Sequence, residues 1–137
     1  MSVRVLIWVA RIAGLGAMLL GWLSWVFQLD IASVHIAFGV AFALALVALS
    51  LALVGRRPLR RLGLAGLGCA LAVTALGLLQ AQPLAGGLHW LIQLSHLLSG
   101  LGAVALVQLM SARYSRLEGA RRGVIPPAGA VREVRYH

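Results

Sequence analysis

Residues 31–54 read IASVHIAFGVAFALALVALSLALV. Apart from His35 the stretch has no ionisable group, and it contains no proline. At about 1.5 Å per residue, a helix of this length crosses the roughly 30 Å hydrocarbon core of a bilayer. Three further apolar stretches extend over about Val5–Phe27, Leu62–Leu79 and Leu88–Ala112. Each is expected to be helical, because a backbone surrounded by lipid must satisfy its polar groups within its own segment. The 137-residue chain is 61% hydrophobic and 11% charged, more apolar surface than a soluble domain of this size can bury. The expectation is an all-α integral membrane four-helix bundle over residues 1–112, with a basic tail over 113–137 and no separate soluble catalytic domain. The first segment is too long for a cleavable signal and lacks a clear small-x-small site, so it reads as a retained helix.

All twelve basic residues are arginine, against three acids. A net charge of +9 invites a nucleic-acid reading, but the positions argue against it. Arg4 and Arg11 lie at the start. Arg56, Arg57, Arg60 and Arg61 cluster in one connection, and Arg113, Arg116, Arg121, Arg122, Arg132 and Arg135 lie towards the end. The connections 28–30 and 80–87 have none. This is the positive-inside pattern of a multi-pass protein with both termini in the cytoplasm, its arginines beside anionic headgroups. The all-arginine usage fits a GC-rich genome, and the expected location is a bacterial plasma (inner) membrane. Trp22, Trp25 and Trp90 near the outer helix ends, with Trp8 and Tyr114 near the inner ends, form the matching aromatic belts. Cys69 is alone, so no internal disulfide forms, and it reads as a small packing residue.

The chain reads as two copies of one helical hairpin. Arg11, Ala13-Gly14-Leu15-Gly16 and His35-Ile36-Ala37-Phe38-Gly39 recur in order as Arg61, Ala65-Gly66-Leu67-Gly68 and His96-Leu97-Leu98-Ser99-Gly100. The longer second outer connection absorbs the difference in length. Ala10, Gly14, Ala17 and Gly21, and likewise Gly63, Ala70 and Gly77, form small-residue stripes for close helix packing. Gly55–Leu59 reads as a tight turn. From about Ser111 the chain leaves the membrane, and 113–122 is expected to continue the fourth helix. Pro126-Pro127 then rules out further helix.

Histidine is costly within a bilayer, so His35, His89 and His96 are functional candidates. The second and fourth helices run parallel. At 1.5 Å per residue His35 lies about 7–8 Å below its helix entry, His96 about 12 Å and His89 about 2 Å. The repeat pairs His35 with His96. Two histidines on different helices at similar depth suit the axial positions of a haem b iron. Gly39 and Gly100, four residues on, share the face of each ligand and leave room for a flat macrocycle. Phe38 and Phe42 would line its edges. His89, two turns above His96, is a candidate for a propionate contact or for a second site. The plainer alternatives are another metal or proton role, or purely structural roles, such as a hydrogen bond from His35 to a backbone carbonyl or water. Zinc is disfavoured because no cysteine or acid sits at ligand spacing. Asp30, the one acid on the outer side, would cap the second helix or take protons near a quinone.

Val34-His35-Ile36-Ala37-Phe38-Gly39 and Gln93-Leu94-Ser95-His96-Leu97-Leu98-Ser99-Gly100, set on two repeated hairpins, resemble one half of heme A synthase and, more loosely, other four-helix membrane b-type cytochromes. The resemblance spans roughly residues 10–112 and implies a b-type haem held by His35 and His96. It does not extend to the synthase activity. The family has arginine directly after its haem histidine, where this chain has Ile36 and Leu97, and its catalytic glutamate has no counterpart nearer than Asp30.

Two functional readings follow. One is a haem b electron-transfer subunit of a larger redox or respiratory complex, with a quinone as a further candidate partner and no stand-alone enzymatic activity. The other is a cofactor-free accessory subunit of a membrane complex. In either, the tail 123–137 is expected to contact other subunits, with Val124, Ile125, Val131 and Val134 as apolar anchors. Substrate transport is disfavoured, and no nucleic-acid partner is expected.

Overall fold

The computed structural model describes residues 2–81 and 89–124. Four helices make up the fold: α1 (Val3–Phe27), α2 (Ala32–Val54), α3 (Arg60–Ala81) and α4 (His89–Val124). Consecutive helices pack as neighbours, and α1 meets α4 along the thinnest seam, leaving α2 and α4 diagonal across the bundle. All four are long and apolar enough to cross a membrane. The fold is therefore the expected all-α four-helix bundle. Large side chains such as Leu44, Leu71, Leu78 and Leu98 face outwards. In a bilayer that outward apolar surface needs no protein partner.

Local signals set the helix ends. Ser2 caps α1, its hydroxyl accepting from the Val5 amide. Gln28 closes α1 in the left-handed conformation, φ 51°. Its side-chain amide donates to the Trp25 carbonyl at 2.7 Å, and Ser24 donates to the Leu29 carbonyl at 3.0 Å. The Trp25 carbonyl in the last turn and the Leu29 carbonyl just beyond it thereby gain partners. Asp30 is not the cap of α2. The residue before that helix is Ile31, whose carbonyl accepts from Val34 and His35, and no side chain caps it. At the other end of the bundle, Arg57–Leu59 forms a short 3-10 turn with Pro58 in its first turn, joining α2 to α3.

The core occupies the half of the bundle away from the histidines. Leu46, Leu49, Leu53, Val107 and Met110 are fully buried there, with Ser50 among them. The α4 helix does not break at 112. It runs on through the basic extension to Val124, with Tyr114 buried in the core and Leu117 packed against it. Arg56 ties the α2–α3 turn to this extension, its Nη1 3.3 Å from Glu118 Oε1 and its guanidinium 4.8 Å from the centre of the Tyr114 ring. The Ile125, Val131 and Val134 anchors of the expected tail contact lie outside the described residues.

The stripes pack as their composition indicates. Ala10, Ala13, Ala17 and Ala70 are buried. A Cβ at Gly14 would lie 2.8 Å from the Phe42 ring, and one at Gly63 2.7 Å from the Ser50 carbonyl. The equivalent serines of the two hairpins make different contacts. Ser50 on α2 lies against Gly66 of α3, while Ser111 on α4, at the same distance from its histidine, accepts a 3.1 Å hydrogen bond from Arg11 of α1.

Candidate functional site

His35 enters the bundle one turn into α2, and His96 two turns into α4. Because those helices are diagonal and parallel, the two rings meet near the bundle axis. Their centroids are 6.3 Å apart and their planes are inclined at 77°. Each ring is seated on a glycine of the preceding helix. A Cβ at Gly21 would come within 2.9 Å of His35 Cε1, and one at Gly77 within 3.2 Å of His96 Cε1. His35 Nδ1 lies 2.9 Å from the carbonyl oxygen of Ala17. A carbonyl only accepts, so Nδ1 donates, and in the neutral tautomer with that proton the lone pair is on Nε2. This is the orientation that a backbone carbonyl gives to a metal-ligating imidazole.

His96 repeats the seat less completely. Val73 precedes Gly77 by the same four residues that separate Ala17 from Gly21. Its carbonyl faces His96 without meeting hydrogen-bond geometry, and Nδ1 of His96 is buried with no partner among the described residues. These contacts relate α1 to α3 by 56 positions, whereas the Ala-Gly-Leu-Gly strings lie 52 apart. The difference is one helical turn, so the matching strings share a helix face but not a depth.

A cavity of about 560 Å³ opens around the two rings. Its wall comes from α1 (Gly14, Ala17, Met18, Gly21), α2 (Ala32, His35, Gly39, Phe42) and α4 (His96, Leu97, Gly100, Val104), with Val73 of α3 closing one side. A Cβ at Gly39 or Gly100 would meet nothing within 4 Å. Those two positions therefore face open space, unlike the glycines under the rings. Trp22, Trp25, Gln28, Gln80, Trp90 and Gln93 surround the mouth, giving a ligand an apolar interior and an uncharged polar rim.

A ring nitrogen binds a transition metal at about 2.0 Å, and the 6.3 Å between the two ring centroids is on the scale at which both histidines could hold one metal. Among the described residues no third histidine, cysteine or acid joins the pair. Two histidines alone would hold only a metal whose remaining ligands come with it.

Of the expected site residues, His35, His96, Gly39, Gly100 and Phe42 are brought together around one cavity. Phe38 is not in its wall. It packs instead on α1, where a Cβ at Gly16 would sit 2.5 Å from its ring. His89 stands at the start of α4 outside the cavity wall, its Nδ1 buried without a partner among the described residues. Sequence reasoning read Gly21 and Gly77 as packing positions and missed their role as histidine seats. The available signal was their place in the stripes, each four residues after the residue whose carbonyl faces the imidazole. It also missed the glutamine and tryptophan rim. Comparison with family models, with curated proteins and with solved structures gives no match to this chain.

Proposed function

We propose that the chain is a membrane-embedded haem b protein that carries electrons, with His35 and His96 as the axial ligands. The supporting observation is the pair of imidazoles 6.3 Å apart beside a cavity into which Gly39 and Gly100 project no side chain. When bound, the haem supplies reversible one-electron chemistry at its iron. The protein's part is to hold the ligands and set the surroundings. Ala17 fixes the His35 tautomer, so that Nε2 is presented as a donor. The seats on Gly21 and Gly77 limit rotation of both rings. Phe42, Leu97 and Val104 keep the interior apolar and restrict water, which bears directly on redox potential. The glutamines of the rim offer amide donors to carboxylates at the mouth.

The arginine distribution supports a plasma-membrane protein of the bacterial type with both termini cytoplasmic. The cavity then opens towards the outer face, within reach of an external donor or a quinone, and the subunit passes electrons to a larger partner. The test is a haem assay on the protein purified from membranes. About one b-type haem per chain is expected, with a low-spin spectrum. A colourless, folded protein would favour the cofactor-free accessory subunit instead.

A further inference from the structure

At the end of the bundle opposite the histidines, a cleft of about 320 Å³ lies between the α2–α3 turn and the extension of α4. Gly55, Arg56, Arg57 and Pro58 line it on one side, and Leu117 and Arg121 on the other. Three arginines from two distant parts of the chain thus border one space. Only one of them is compensated. Glu118 is one of three acids in the whole chain, and it pairs with Arg56. The same guanidinium lies over the Tyr114 ring, so the pair forms a fixed wall. Arg57 and Arg121 are exposed and have no carboxylate within ion-pair distance among the described residues.

The location narrows the ligand. The apolar run of α2 ends at Val54, and the cleft begins at the next residue. It therefore lies at the level of lipid headgroups if α2 spans the bilayer. Pro58 and Leu117 supply apolar surface beside the charges, as a glycerol ester would need. Guanidinium groups match phosphate oxygens in geometry and charge, and basic pockets at helix ends on one membrane side suit phospholipid headgroups. The N-terminus of α3 follows directly on the turn and adds positive potential to the same face.

We propose that this cleft binds the phosphate of an anionic phospholipid headgroup, with Arg57 and Arg121 as the two recognising cations and the Arg56–Glu118 pair holding the wall between them. The assignment does not depend on the haem reading.

The experiment is thermal unfolding of the full-length detergent-solubilised protein, titrated with phosphatidylglycerol, phosphatidylcholine or inorganic phosphate. Phosphatidylglycerol should raise the melting temperature and the other two should not. The concentration giving half the effect should rise about fivefold for Arg121→Gln alone and about twentyfold for Arg57→Gln with Arg121→Gln. Arg60→Gln with Arg116→Gln removes the same charge outside the cleft and should leave it nearly unchanged. Lipid-free melting temperatures establish that each variant folds, and Arg121→Gln, on an exposed helix face, provides the test if the double variant does not. Equal losses in the two double variants would show a diffuse basic surface and overturn the site. Protection by inorganic phosphate as strong as that by the lipid would overturn the headgroup assignment in favour of a free anion. No protection by any of the three would overturn the proposal outright.

Discussion

The imidazole of His35 rests on Gly21 so closely that a Cβ there would come within 2.9 Å of Cε1. A real Cβ is essentially never this near, so the ring must move if the glycine gains a side chain. Gly77 bears the same relation to His96 with slightly more room, at 3.2 Å. Gly21→Ala should therefore alter the haem spectrum or lower haem content more than Gly77→Ala does, with normal membrane insertion in both. Visible spectra of the two purified variants at equal protein concentration check the order.

Gly39 and Gly100 are opposite in kind. No atom lies within 4 Å of a Cβ at either position, and both line the cavity. Gly39→Leu should insert and fold normally, and the gain in helix propensity is worth up to about 1 kcal/mol relative to glycine. Its side chain would enter the space assigned to the macrocycle, so haem should be lost or its spectrum distorted. Size-exclusion chromatography with simultaneous protein and haem absorbance separates the two effects. An unchanged spectrum would restrict these glycines to backbone roles.

Gly66 and Gly68 stand in one Ala-Gly-Leu-Gly string yet differ in surroundings. A Cβ at Gly66 would collide with the Ser50 hydroxyl and lie 2.5 Å from Met110 Cε, whereas one at Gly68 meets nothing within 4 Å. Ser50 and Met110 are both fully buried, so the hydroxyl and the terminal methyl would have to turn within a packed core. Overpacking of this kind costs about 1–3 kcal/mol. Gly66→Ala should melt clearly below the parent protein in detergent, and Gly68→Ala at or above it.

That contrast marks how far the sequence could be read. The four spans were legible because apolar length is a property of each segment alone. The pairing of His35 with His96 was legible because both lie near the start of parallel helices and precede a glycine by four residues. The depth relation of α1 to α3 was not. Matching strings report similar composition, whereas the contact register depends on which side chain meets which backbone across the interface, and that lies one turn away, at Gly21 and Gly77. The fate of Phe38, unlike that of Phe42, was also hidden. Both are aromatic residues on α2, but Gly16 draws the first onto α1 while the second faces the cavity. Asp30 looked like a cap from its residue type, but the turn ends one residue later.

Topology is a separate expectation, resting on all twelve arginines. A reporter fused after His137 should be cytoplasmic, and one inserted near Pro83 should be external. A cytoplasmic Pro83 reporter would invert the arrangement and turn the cavity mouth towards the cytoplasm.

The most direct test of haem ligation by His35 and His96 is the reduced-minus-oxidised visible spectrum of the purified protein and its histidine variants. The parent protein should show a sharp alpha band from a low-spin, bis-histidine haem. His35→Ala and His96→Ala should each abolish or severely weaken it, and His89→Ala, outside the cavity wall, should keep at least part of it. Full haem retention by the double variant His35→Ala with His96→Ala would contradict the account, and loss of haem from His89→Ala alone would move the α4 ligand away from His96.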